Sequence, residues 1–264
     1  MRNPITKLAV VAILAALILA CLVTAQVKSR QTRMQLVAEK QAANKEEPTP
    51  VQAGVMTGRQ KKHAKLFKGY DATRKGKKLS DLPSETGEVN VQLMVGDKPL
   101  PRSVNLSEYL QKSACAADAV VIGTVSSKAS QLTEDGSFTF TDYELNVEEV
   151  LKDNPAAPLH ANDIVTITRA GGAVKLNGRT LRATDYAEKP LEVNGRFVLF
   201  LKYLPETGAY RPYTGNVGDD SFQLRGGKIL QVSDEVLPLG AHRPTDVAPF
   251  LAEVHSAVSS ACGR

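Results

Sequence analysis

Two stretches decide the fold: Asp118-Ala-Val-Val-Ile-Gly-Thr-Val125 and Phe138-Thr-Phe-Thr-Asp-Tyr-Glu-Leu-Asn-Val147. The first is β-branched and nearly continuous in apolar residues, the pattern of a strand buried on both faces. Gly123 in its middle marks a bend or bulge. The second alternates, but its parity slips: Phe138 and Phe140 are even, whereas Tyr143, Leu145 and Val147 are odd. One extra residue near Thr141-Asp142 would account for the slip, and a bulge is how a long strand bends round a barrel corner.

Working outward, Ile164-Val-Thr-Ile-Thr168 and Arg196-Phe-Val-Leu-Phe-Leu-Lys202 read as further strands. Val174 to Leu181 reads as a hairpin, because Asn177-Gly178 supplies the two positive-φ positions of a type I′ turn. Gly226-Gly227 does the same between Ser221–Arg225 and Lys228–Val232, and Gly171-Gly172 also fits a hairpin. Tyr210-Arg-Pro212-Tyr213 carries a proline and belongs on an edge or at a strand start. Two helices flank the strands. Asn105 with Glu108 predicts a capping box opening a short helix through Tyr109 and Leu110. Near the C-terminus Thr245 caps a helix whose Val247, Phe250, Leu251, Val254, Val258 and Ala261 fall on one face, with Pro249 in the first turn. A helix with that stripe must cover something apolar. The expected fold is therefore mainly β: a small OB-like Greek-key barrel with a C-terminal covering helix, occupying residues 91–264.

Upstream the composition changes. The 264 residues carry a formal net charge of +5. That excess sits in residues 26–90, with 14 Lys and Arg against 7 Asp and Glu, while residues 91–264 are mildly acidic. A folded nucleic-acid-binding face would itself be basic, so the body of the protein does not fit that class. Residues 26–90 read as a basic, largely disordered tether, broken by Pro48-Thr49-Pro50. Nine of its basic residues, Arg59, Lys61, Lys62, Lys65, Lys68, Arg74, Lys75, Lys77 and Lys78, fall within a short span with Phe67 and Tyr70 interleaved. That composition adheres to anionic lipid or polymer. Residues 1–25 read as a hydrophobic helix, either a cleaved signal peptide or a retained membrane anchor. Arg2 and Lys7 lead an uncharged run from Leu8 to Ala25, long enough to span a bilayer, and Val23-Thr24-Ala25 offers the small residues a signal peptidase needs. Lipidation at Cys21 fits less well, since Leu19 stands where a small residue is expected. Export places the chain outside the cytoplasm, anchored through residues 8–25 if these are uncleaved.

Beyond the leader there are two cysteines, Cys115 and Cys262. A bridge between them would staple the covering helix to the barrel across about 147 residues, worth roughly 4–5 kcal/mol in the chain-entropy account. Cys115-Ala-Ala-Asp118 leading into the first strand, with a long strand ending Val147-Glu-Glu-Val-Leu-Lys152, resembles the opening of netrin-module and tissue-inhibitor-of-metalloproteinase domains. The resemblance covers about 40 residues and implies a secreted OB-like barrel. It does not imply protease inhibition, which needs the cysteine at a free amino terminus, and Cys115 lies deep in the chain.

Chemistry-bearing residues are sparse. His63, His160, His242 and His255 are scattered without metal-ligand spacing. Asp219-Asp220 after Gly218 reads as a turn. Glu144 and Glu148 share one strand face with Glu149 beside them and read as solvent-facing. No catalytic set, metal site or cofactor is expected. The reading is a non-enzymatic exported binding or scaffold module of the cell envelope or secreted space, its partner a protein or envelope component. The alternatives are a metal-dependent hydrolase using Asp219, Asp220 and His160 or His242, and polyanion binding through residues 59–78.

Overall fold

The computed structural model describes residues 49–50, 56–70, 77–83, 88–93, 105–185, 190–215, 218–219, 221–231 and 246–260. The leader at 8–25, Arg74, Lys75, Asp220, His242, Thr245, Ala261 and Cys262 lie outside them. The described residues belong to one compact unit, Glu46–Arg264. None of their helices is long and apolar enough to cross a membrane.

Strands dominate. In chain order they are β1 (Thr49–Pro50), β2 (Glu88–Leu93), β3 (Ala119–Leu132), β4 (Thr139–Lys152), β5 (Ile164–Ala170), β6 (Gly172–Leu176), β7 (Arg179–Asp185), β8 (Arg196–Leu204), β9 (Ala209–Pro212), β10 (Thr214–Gly215), β11 (Gly218–Asp219), β12 (Ser221–Arg225) and β13 (Lys228–Gln231). The helices are α1 (Gly58–Leu66), α2 (Leu106–Ala116) and α3 (Val247–Ser259). Five strands close a ring in the order β8-β3-β4-β5-β9 and back to β8. Every pairing in the ring is antiparallel except β5 with β9, which is parallel and rests on one register pair, Ile167 opposite Tyr210. The Tyr210 hydroxyl helps hold that seam, donating to the Ala157 carbonyl at 3.0 Å and accepting from Asn154 Nδ2 at 3.4 Å. β12 and β13 extend the sheet from β8, and a second sheet runs β1-β6-β7-β2.

The ring wall is clad on both sides, which explains why its strands lose clean alternation. Odd-numbered residues of β3 and β4, with Ile167, Leu199 and Tyr210, form the barrel core. On the opposite face Val120, Ile122, Val198, Phe200 and Phe222 are covered by α2 and α3 through Leu110, Phe250 and Val254. A third core joins Phe138 and Phe140 to α1 and the second sheet through Phe67, Leu79, Val89, Val174 and Leu181. The parity slip in β4 follows directly. Phe138 and Phe140 face the third core while Tyr143, Leu145 and Val147 face the barrel core, so both parities are apolar. The expected bulge at Thr141-Asp142 is not there, since β4 pairs with β5 without a shift from Phe140 to Asn146. The slips in the β3–β4 ladder fall instead between Val120 and Val121, Ile122 and Gly123, and Val125 and Ser127. Gly123 sits at one of them, where a Cβ would lie 2.5 Å from the Asn146 carbonyl oxygen.

Both expected two-residue hairpins form. Asn177 and Gly178 have φ of 50° and 76°, and Gly226 and Gly227 have 57° and 74°. Gly171-Gly172 is not a hairpin: β5 lies in the ring and β6 in the second sheet, so the pair carries the chain between sheets. Hydroxyls clamp this crossover, Thr139 donating to the Gly172 carbonyl at 3.0 Å and Thr141 to the Gly171 carbonyl at 2.8 Å. At the start of α2 the Asn105 side chain accepts from the Ser107 amide. The box with Glu108 does not form, because Glu108 accepts from Lys112 at 2.6 Å. α3 begins after Asp246, whose carboxylate bonds Lys228 at 2.6 Å and makes no side-chain cap.

The largest correction concerns the tether. The domain does not begin near residue 91: α1, a 3₁₀ turn at Leu79–Asp81 and β2 are all built into it. β2 pairs in parallel with β7 over six residues. His63, Ala64, Phe67, Leu79 and Val89 are buried. This stretch looked disordered because its buried residues are few and widely spaced among lysines.

Candidate functional site

α1 starts with a capping box, Thr57 accepting from the Gln60 amide and Gln60 accepting from the Thr57 amide. Nine residues of lysine-rich helix cannot hold themselves in water, and three contacts to β4 help fix α1. Arg59 donates to Glu144 Oε1 at 2.9 Å, His63 Nδ1 meets Asp142 at 2.9 and 3.1 Å, and Phe67 stacks on Phe140 with centroids 5.8 Å apart. Helix residues four apart therefore meet strand residues two apart, running in opposite directions. The spacing matches because four helical residues rise about 6 Å and two strand residues about 6.8 Å. Beyond the helix, Lys68 bonds Glu134 at 3.1 Å, the Gly69 amide bonds Asp135 at 2.9 Å and the Tyr70 hydroxyl bonds Asp185 at 2.7 Å.

His63 and Asp142 are both buried. Nδ1 and the Asp142 carboxyl group share one buried hydrogen bond. Nε2 is buried and has no hydrogen-bond partner among the described residues, and the His63 and Phe140 rings lie T-shaped with centroids 6.2 Å apart. The pair ties α1 to β4 across 79 residues of sequence. The sequence placed His63 among scattered histidines; the only local signal was its spacing of four from Arg59 and Phe67. Asp135 is the most perturbed carboxyl here. Burial pushes it up, but the Thr133 hydroxyl, the Ser137 amide and hydroxyl and the Gly69 amide outweigh this and hold it at about 2.

The nine basic residues of the expected polyanion stretch divide. Arg59, Lys62 and Lys68 turn to protein acceptors, Lys62 donating to the Glu206 carbonyl. Lys61, Lys65, Lys77 and Lys78 are exposed, and Arg74 and Lys75 lie outside the described residues. The second expected site lies across the domain. Cys115 lies in the last turn of α2; its expected partner Cys262 lies outside the described residues. Lys152, at the end of β4, donates to the carbonyls of Ala114 and Ala117 at 2.8 and 2.6 Å, placing a cation at the C-terminus of α2. Asp118 accepts from Lys202 at 2.8 Å and from the Tyr203 amide at 2.9 Å. Burial pushes the Asp118 carboxyl up, and these two bonds more than reverse it, leaving it below its usual range. The two motifs that carried the family resemblance thus meet in space around Cys115.

The remaining candidates separate. Glu144 serves Arg59 and Thr166, Glu148 serves Arg196 and Thr124, and Glu149 lies 3.7 Å from His255. Asp219 pairs with Thr214 in a short bridge, and exposed His160 lies 3.5 Å from Asp163. Among the described residues no three His, Cys, Asp or Glu converge as metal ligands. No protein-family model matches the chain, and no curated protein matches it.

Proposed function

We propose that the chain is a non-enzymatic binding or scaffold module of the cell envelope or secreted space, built on an OB-type barrel of the netrin-module kind and exported or held at a membrane through residues 8–25. What supports the fold reading is the ring order β3-β4-β5-β9-β8 with its parallel β5–β9 seam, the strand order of a five-stranded Greek-key barrel. The location is supported by the bridge proposed at Cys115, which sits where α2 ends and the first barrel strand is about to begin. Disulfides persist in oxidising compartments and are rare in the cytosol. The bridge partner in this reading is Cys262, which ties the end of α3 to α2, the two helices that already share one core.

Peptide mapping of the native protein without reduction tests the reading. The expected result is a peptide pair joining Cys115 to Cys262, and a reduced chain less stable by up to about 4–5 kcal/mol. A native protein whose Cys115 is alkylated without prior reduction would overturn it. Metalloprotease inhibition is not part of the proposal, because Cys115 offers no free α-amine to a metal.

A further inference from the structure

We propose that the outward face of α1, with Lys61 and Lys65 continued by Lys77 and Lys78, is a docking surface for the anionic headgroups of a bilayer. The inference rests on the proposed station beside a membrane and names the surface that meets it. His63, Ala64 and Phe67 are buried, which fixes the rotation of α1. Lys61 and Lys65, four residues apart, then project from the opposite side. Lys77 and Lys78 reach the same neighbourhood. α1 ends on the 133–137 turn through Lys68 and Gly69, while the stem of Lys78 packs over Gly136 and the Leu79 amide donates to the Gly136 carbonyl at 2.8 Å. The four ammonium groups are thus mounted on folded protein.

The choice of lipid over nucleic acid follows from where the aromatics went. A surface for single-stranded nucleic acid stacks bases on exposed rings. Phe67 is buried, and Tyr70 packs on Phe67 and Phe138 with its hydroxyl on Asp185. The large apolar side chain left exposed on α1 is Leu66, beside Lys65. Lysines flanking an exposed leucine suit the headgroup boundary, where each lysine contributes about fivefold in binding.

The test is co-sedimentation of the full chain, as purified, with phosphatidylcholine vesicles with and without phosphatidylglycerol. Any binding through residues 8–25 is common to both vesicle types, so the anion-dependent difference is the readout. The proposal expects at least tenfold tighter binding to the anionic vesicles, weakened by salt. K61E/K65E/K77E/K78E removes that difference, the four-fold glutamine variant reduces it, and the four-fold arginine variant keeps it, all with unchanged melting because the four side chains are exposed. Equal partitioning of wild type and the glutamate variant, salt-insensitive binding, or a single-stranded oligonucleotide bound as tightly as the anionic vesicles would each overturn the proposal. A free thiol at Cys115 would sink the export reading and leave this measurement untouched, so the two failures are distinguishable.

Discussion

Replacing Phe67 with alanine separates a folded N-terminal segment from a tether. Phe67 is 4% exposed, stacked on Phe140 at an interplanar angle of 17° and edge-on to Tyr70 at 5.6 Å. Removing a buried phenylalanine ring costs about 3–5 kcal/mol, the spread set by how far the site can collapse. Here collapse is limited, because Phe140 is fixed in β4 and Tyr70 is held by Asp185. For a domain of this size the loss lowers the melting temperature by roughly 6–20 °C. The loss cannot exceed the free energy that docks α1; beyond that point the helix detaches while the ring stays folded. Calorimetry should therefore be read beside hydrogen exchange at Lys61 and Phe67, whose amides bond the carbonyls of Thr57 and His63. Protection of both amides in the wild type and its loss in the variant is the expected outcome. An unchanged melting temperature, with those amides already unprotected in the wild type, would refute the docked helix.

Two other perturbations probe the same seam. His63→Leu strands a buried carboxylate and should cost about 3–5 kcal/mol, whereas the His63→Leu/Asp142→Leu double variant should recover at least about 1 kcal/mol of that; additive losses in urea titrations would deny the pairing. Asp135 is depressed from 3.8 to about 2, so its folded pKa lies below the unfolded one. Its contribution is fully present above about pH 4 and disappears as pH falls towards 2. Because the carboxylate is partly solvated, this is on the order of 1 kcal/mol. Asp135→Asn should flatten stability against pH in that window, and a slope identical to wild type would count against the four donors.

Local chemistry made part of the fold legible. Asn177-Gly178 and Gly226-Gly227 announce their turns because positive φ is a local demand, and Ala119 to Val125 and Phe197 to Leu201 announce buried strands by composition. What stayed hidden depends on distant partners. α1 offers two buried residues, His63 and Ala64, among its lysines, with Phe67 at its C-cap, and the Arg59–Glu144 bond that seats it joins residues 85 apart. β2 pairs in parallel with β7, a contact no local pattern encodes. The apolar parity of β4 changes because a different core covers each face, which a linear reading mistakes for an inserted residue. The Cys115 junction was legible as a motif, but the reach of Lys152 back to the α2 carbonyls was not.

The closed ring is stitched unevenly. Two non-local pairings turn a meander into a hoop: β3 with β8 over six residue pairs, and β5 with β9 over one. Bringing remote segments together costs chain entropy before any bond repays it. The broad contact can nucleate early, while the narrow one must wait until Asn154 and Ala157 are in place to receive the Tyr210 ring. With β9 kept on β8 by four register pairs, the joint between β5 and β9 is the last in the cask to shut and the first to spring, so transient gaping of the barrel begins on the side facing the 153–163 connection.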